Sequence, residues 1–189
     1  NSDISGLAVL LSGAGSYYER EQLDRSALTD SAFLDWMRPI FDAVPNFQSL
    51  GGNVAQGFAR GPSTAEIGIL PEAQWLLQLN GILSNETVVF HYPRYNFVLD
   101  FPLAVWADPT APLSDDERAA VAAFGEYLRT SAQGRVTAYG LRPAEGEPQT
   151  GDALFGAALP YGIALEPDYG IAVQAPQRQT AETLIQQFR

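Results

Sequence analysis

The sequence predicts an α/β domain in which helices flank a mixed β-sheet. Apolar residues recur at helical spacing in several stretches, whereas residues 87–92 and 96–106 are rich in the β-branched and aromatic residues that favour strands. The 189 residues are enough for one sizeable core. Of these residues, 46% are hydrophobic and only 17% are charged, which excludes a disordered tail.

The net charge of −11 argues against nucleic acid as a partner. All 11 basic residues are arginine, against 22 acidic residues, so the chain has no basic stripe that would neutralise the phosphates of a nucleic acid. Cations, sugars and peptides remain open as ligands. With no cysteine and a single histidine, disulfides, thiolate zinc sites and cysteine nucleophiles are excluded, and we expect neither a metal nor a cofactor. The sequence contains no apolar run of about eighteen residues, so we expect no membrane insertion of this chain.

The first quarter of the chain predicts two helices. The first begins near Ser5, which has the residue type of a helix N-cap, and runs to Tyr18. Polar residues 19–29 predict a loop or a frayed helix. Asp30 then caps a second helix with a clear apolar stripe, in which Pro39 predicts a kink or a short break.

Two segments could bring helix N-termini to a ligand. Gly51 and Gly52 precede a short helix and could present backbone N–H groups to an oxyanion, although most glycine pairs are turns. Residues 65–70 predict a buried strand, after which Pro71 opens a helix. In open α/β sheets such a step places the helix start at the ligand crevice, so Glu72 is either a ligand contact or a residue that complements the helix dipole.

The strand candidates 87–92 and 96–106 predict a hairpin-like pair joined by residues 93–95. Pro102 cannot donate a ladder hydrogen bond, so it marks a bulge, an edge, or a strand that leaves one sheet for another. His91 lies among apolar strand residues and is expected to be structural, buried or half-buried, and not a metal ligand.

Residues 113–143 give the clearest helical pattern. Ser114 and Glu117 have the spacing of a capping box, and Val121, Phe124 and Leu128 form an apolar stripe that we expect in the core. Gly140 is placed to be a left-handed C-terminal cap.

The chain is expected to divide into an α/β domain, residues 1–143, and a C-terminal segment, residues 144–189, that packs on it. Within that segment, residues 144–158 predict an exposed connector because they are rich in Gly, Pro and acidic residues. Residues 161–173 predict one or two short strands, and residues 179–188 a terminal helix.

The order of these parts resembles that of bacterial extracellular solute-binding proteins of the type II periplasmic-binding-protein superfamily. The resemblance rests on residues 140–143, Gly-Leu-Arg-Pro, which follow the two helices, on Ser5-Gly6, on Tyr92-Pro93 and on residues 101–103. It covers residues 1–143. The C-terminal segment resembles one found in a subgroup upstream of a von Willebrand factor A domain.

The resemblance implies a lobe of a two-lobed protein that holds its ligand in the cleft between lobes. Complete members have a further half-lobe before the stretch that residues 1–6 resemble, so we expect an incomplete two-lobe protein whose affinity for a small solute is weak or absent. The implied function is extracellular or periplasmic capture of a small molecule for a membrane permease of an ABC-type importer, without catalysis. The alternative is a cell-surface interaction domain, associated with adhesion, that kept the lobe without solute transport.

The candidate ligand-binding residues are expected to line one common surface. Scattered Asp and Glu residues show no spacing that would pair two carboxylates or a nucleophile with a base, so we expect no enzyme and no catalytic residue. The candidates are Ser5, Gly51, Gly52, Glu72 and Tyr92.

Overall fold

A computed structural model of the protein describes residues 4–43, 54–61, 66–85, 87–106 and 108–188. The described residues form a helix-rich fold with one small sheet of two strands, rather than the mixed sheet that the sequence predicts. In chain order the elements are α1 (Ile4–Tyr18), α2 (Arg25–Leu28), α3 (Ser31–Asp42), α4 (Val54–Phe58), α5 (Glu72–Leu83), β1 (Tyr95–Asn96), α6 (Asp115–Arg129), α7 (Gln133–Val136), α8 (Ala153–Ala158), β2 (Ile171–Ala172) and α9 (Arg178–Gln187).

Several local signals in the sequence act as predicted. Asp30 caps α3 by accepting from the Ala32 N–H at 3.2 Å, and Ser114 forms the capping box with Glu117 at the start of α6. Gly140 ends the 3₁₀ turn Thr137–Tyr139 in the left-handed conformation, with φ of 72°. Side-chain caps fix these helix boundaries because they satisfy N–H groups that have no partner within the helix.

A first hydrophobic cluster joins the N-terminal helices to the end of the chain. Leu11 from α1, Phe33 from α3 and Leu184 from α9 are all fully buried in it. Pro39 lies inside α3 without ending it, and α3 continues to Asp42.

A second cluster lies between α5 and α8. Leu76 and Leu79 of α5 pack with Phe155 of α8, and Ile163 closes the cluster. The prediction of an exposed connector over residues 144–158 is therefore wrong, because Phe155 and Pro148 in that stretch are fully buried. The composition is typical of a loop, but the stretch contains one aromatic side chain whose burial helps to build this core.

The two strands connect distant parts of the chain. Tyr95 pairs with Ile171 and Asn96 with Ala172 in a parallel register. Gly170 precedes β2 with φ of 60°, and a Cβ atom there would lie 2.2 Å from the Arg94 carbonyl oxygen, so only glycine fits. The strand predicted within residues 161–173 is thus confirmed in a shorter form.

The other strand predictions are wrong for the described residues. Residues 66–70 are irregular, and all but the half-buried Leu70 are exposed, with Ile67 at 89%, so the predicted buried strand is absent there and α5 does not follow a β-strand. Residues 87–92 and 97–106 form no hairpin, because β1 pairs with β2 instead. His91 lies in an irregular segment and is exposed, not buried within a strand.

The prediction that α6 carries a core stripe is also wrong. Phe124 is 52% exposed, and no residue of α6 is fully buried. The helical spacing correctly predicts the helix, but burial of its apolar face needs a neighbouring layer, which the described residues do not supply.

None of the helices in the described ranges combines the length and the apolar character that crossing a membrane requires.

Candidate functional site

Arg142 is the centre of a polar cluster that holds the first turn of α5. Its Nε donates to Oε2 of Glu72 at 2.7 Å, and its Nη2 donates to Oε1 of the same carboxylate at 2.8 Å. The planar guanidinium matches both carboxylate oxygens at once, so the pair fixes orientation as well as distance. Only 15% of the Arg142 side chain and 19% of the Glu72 side chain are exposed.

The remaining donors of Arg142 connect α5 to the C-terminal segment. Nη1 donates to the Leu165 carbonyl and Nη2 to the Ala164 carbonyl, each at 2.6 Å. The guanidinium carbon also lies 5.1 Å from the ring centre of Phe155 and 5.7 Å from that of Tyr169. Every N–H-bearing nitrogen of the guanidinium therefore has a partner within the protein, so this arginine is not a ready site for a free anion.

Tyr92 completes the cluster by contacting both Glu72 and Arg142. Its hydroxyl donates to Glu72 Oε1 and accepts from Nη2 of Arg142 at 3.3 Å and from the Ala164 N–H at 3.4 Å. Burial raises the pKa of Tyr92 above its usual range, and the hydrogen bond to Glu72 and the charge of that carboxylate raise it further. Tyr92 is consequently a neutral hydrogen-bond donor at physiological pH, not a base.

The pKa of Arg142 is set by opposing effects. Burial lowers it, but the hydrogen bond to Glu72 and the charge of that carboxylate outweigh burial, and the pKa lies above the usual arginine range. The cluster formed by Glu72, Tyr92 and Arg142 therefore contains one negative and one positive charge, and its net charge is zero.

Gly140 explains why the turn before Arg142 can approach α5. A Cβ atom at this position would lie 3.0 Å from the Cα atom and 3.1 Å from the carbonyl oxygen of Ala73, and the residue also has positive φ. Glycine is therefore needed both for the conformation and for the close contact. Residues 140–143 form a clamp, with Gly140 against the α5 backbone and Arg142 on Glu72.

The structure brings three of the five sequence-predicted site residues to one end of α5. Glu72 opens this helix, Tyr92 contacts Glu72, and Ser5 in the first turn of α1 accepts a 3.4 Å hydrogen bond from Gln74 Nε2. Ser5 is buried and lies inside α1, which begins at Ile4, so it is not the N-cap of the helix. Gly51 and Gly52 lie outside the described residues. Ligand contact by the five residues stays a prediction.

Arg142 was missed as a site residue by reasoning from the sequence. It belongs to the Gly-Leu-Arg-Pro stretch that carries the family resemblance, but nothing in that stretch shows that its partner is Glu72, 70 positions away. The signal that could have found it is the acidic residue at a helix start combined with an arginine directly after a left-handed glycine turn.

In the described part of the chain, no group of three or more His, Asp or Glu residues could hold a metal ion. A scan against protein-family models, a search of curated proteins and a search of solved structures each found no match to this chain.

Proposed function

We propose that this chain is a non-catalytic ligand-binding lobe of the type II periplasmic-binding-protein kind. The observation that carries the proposal is the convergence of Ser5, Glu72 and Tyr92 at the start of α5. In proteins of this kind, the ligand contacts the lobe at helix starts, where unpaired N–H groups and the positive end of the helix dipole meet. The clamp of residues 140–143 supports the proposal, because it holds this end of α5 in place.

The charge of the cluster favours an uncharged polar solute. The Glu72 carboxylate is matched by Arg142, so the cluster has no net charge, and the Ser5 hydroxyl and the Gln74 amide lie at the same end of α5. The net charge of −11 repels free anions at long range. Hydroxyl-rich solutes such as sugars are the class that suits such a surface.

The proposed role is capture of this solute outside the cytoplasm and delivery to a membrane permease. The lobe described here would supply one wall of the cleft, and an opposing lobe would supply the other. A single wall buries little of a ligand, so we expect half-saturation in the millimolar range for this chain alone.

Nuclear magnetic resonance titration with a panel of mono- and disaccharides tests the proposal. We expect shifts of backbone resonances confined to the first turns of α1 and α5, and a loss of at least about tenfold in affinity in Ser5→Ala. Ser16→Ala is the matched control, because Ser16 lies on the same helix and is exposed. Absence of shifts for the whole panel at millimolar concentration would contradict the sugar class. Submicromolar binding would contradict a ligand surface formed by one wall.

A second candidate function is a cell-surface interaction domain without a solute. The observation that favours it is a run of exposed apolar residues at 97–106, which the solute site does not use. Large exposed apolar patches mark protein interaction sites.

A further inference from the structure

Residues 97–106 form an apolar segment that belongs to no helix or paired strand. Phe97 packs against the first hydrophobic cluster, but from Val98 onwards most of the side chains are exposed. Phe101 is 74% exposed and Trp106 is 83% exposed. At about 200 Å² for each aromatic side chain, these two alone expose roughly 300 Å² of mainly apolar surface. We call the exposed side chains of this segment the apolar strip: Val98, Phe101, Leu103, Val105 and Trp106.

The backbone of this segment also lacks hydrogen-bond partners among the described backbone groups. Among the described residues, no backbone hydrogen bond involves an N–H or C=O group of residues 97–106. An extended segment with free N–H and C=O groups and apolar side chains is a template on which another strand can pair. Pro102 lacks an N–H group and limits pairing at one position only.

One side of the segment already has a helix near it. A Cβ atom at Gly125 in the middle of α6 would lie 3.6 Å from Leu103 Cδ2, so α6 approaches the segment at Leu103. Neither hydrophobic cluster of the described residues includes a residue between 98 and 130. The segment and α6 thus resemble one strand and one helix of an α/β layer without the neighbouring strands.

The stretch of sequence that contains the apolar strip and the start of α6 is acidic. Residues 97–118 contain five carboxylates, at positions 100, 108, 115, 116 and 117, and one guanidinium, Arg118, which leaves a formal charge of −4. Arg118 is paired with Asp115. A second copy of this chain would bring the same negative charges to the interface, and like charges placed across strands are destabilising. The complementary partner is basic.

We propose that residues 97–106 are a docking strand for a separate protein partner, which adds an extended β-strand with basic residues at its ends. Backbone hydrogen bonds would provide affinity, the alternating apolar side chains would fix the register, and the acidic surroundings would select the basic flanks. This inference does not depend on the proposed solute site, which lies on α1 and α5.

Two matched synthetic peptides test the proposal on the intact chain. Both have a core of alternating valine and threonine, and one is flanked by two lysines at each end, the other by two glutamates. In fluorescence anisotropy we expect the lysine peptide to bind at least about tenfold more tightly than the glutamate peptide at low salt. We expect this advantage to shrink as salt is raised, because screening weakens exposed charge pairs.

Three variants separate strand pairing from unspecific adhesion. Phe101→Ser removes an exposed apolar contact, and Ala104→Pro removes an exposed N–H group; each should weaken binding of the lysine peptide at least about fivefold. Ile40→Ser on α3 is the matched control, since Ile40 is an exposed apolar residue outside the strip, and it should leave binding unchanged. Equal binding of both peptides, no binding of either, or no effect of Ala104→Pro would overturn the proposal.

Two further experiments test whether the apolar strip is covered by a second copy of this chain or by the chain itself. Sedimentation equilibrium that shows a dimer abolished by Phe101→Ser would assign the strip to a second copy and overturn the proposal. Acrylamide quenching that shows Trp106 to be protected in the isolated monomer would mean that the chain covers the strip itself, which also overturns it. We expect a monomer whose Trp106 is freely quenched.

Discussion

Helices α5 and α6 differ in a way that their sequences do not reveal. Both carry apolar residues at helical spacing, and α6 has the better start, since its Ser114 forms a complete capping box whereas Pro71 before α5 makes no side-chain cap. Yet α5 fully buries Leu76, Leu79 and Ile82, and α6 buries no residue.

The comparison shows that a helix cap depends on nearby residues in the sequence, whereas burial of a helix depends on other elements of the fold. A cap depends on residues within one turn, so the local sequence contains all of it. Burial depends on a second layer, and α5 has one because α8 and the Arg142 clamp lie against it. Helix α6 contributes no residue to either hydrophobic cluster of the described residues.

The largest expected change in stability comes from a comparison of two phenylalanines, one near α5 and one on α6. Phe155→Ala should lower the free energy of unfolding by about 3–5 kcal/mol, because the side chain is fully buried between α5 and α8. Phe124→Ala should lower it by less than about 1 kcal/mol, since Phe124 is half exposed. Urea unfolding of both variants measures the difference. Equal losses would mean that α6 has a covered face in solution.

The second prediction breaks the clamp. Arg142→Met removes the guanidinium donors of the Ala164 and Leu165 carbonyls and leaves the Glu72 carboxylate with only the Tyr92 hydroxyl as a side-chain donor, and it should reduce stability by about 2–4 kcal/mol. Part of this loss of stability comes from the broken ion pair between Arg142 and Glu72. A double-mutant cycle with Glu72→Gln should give a coupling of at least about 1 kcal/mol in urea unfolding. A coupling near zero would show that the pair does not hold α5.

Features that depend on a few neighbouring residues were predictable from this sequence. The cap at Asp30, the capping box at Ser114 and the left-handed Gly140 are examples, since each is determined by side chains or conformational freedom within about one turn. The helical character of most segments followed for the same reason.

Features that depend on distant partners were not predictable. Residues 87–92 and 97–106 have strand-forming composition, but β1 pairs with Ile171–Ala172, about 75 positions away, rather than with its neighbour in sequence. Composition cannot specify which strand pairs with which. The Glu72 contact of Arg142 and the burial of Phe155 in a loop-like stretch belong to this class as well. Glu72 and Tyr92 were named as site residues, but only the fold shows that they touch.

The third prediction tests the close approach of the clamp. Gly140→Ala should lower the free energy of unfolding by about 1–3 kcal/mol, because the new Cβ would meet the Ala73 backbone and alanine disfavours positive φ. Gly146→Ala is the matched control: it also has positive φ, but a Cβ there meets nothing within 4 Å. Thermal unfolding should show the larger loss at Gly140. Equal losses would mean that the positive φ alone causes the destabilisation and that the close contact between Gly140 and α5 does not contribute.

The smallest expected effect concerns the start of α6, where the cap acts without help from a core. Ser114→Ala should destabilise the helix by about 0.5–1 kcal/mol, because the N–H of Glu117 loses its side-chain acceptor at 3.3 Å. Amide hydrogen exchange should show the change within the first turns of α6. Protection in α5 should stay the same, since the two helices share no hydrophobic cluster.

The same capping box has a signature in pH. Two hydrogen bonds from Ser114 to the Glu117 carboxylate hold the pKa of Glu117 below its ordinary value of 4.5. The bond from the Ser114 N–H has the larger effect on this pKa, and the bond from the Ser114 hydroxyl has the smaller. The folded pKa is lowered, so the contribution to helix stability is present above the unfolded pKa and is lost as the pH falls through the folded pKa. Ser114→Ala keeps the backbone donor and should raise the pKa of Glu117 only part of the way towards 4.5, whereas Ser114→Pro removes both donors and should restore it. Carbon-detected NMR titration measures this order, and equal pKa values in the two variants would assign the effect to the hydroxyl instead.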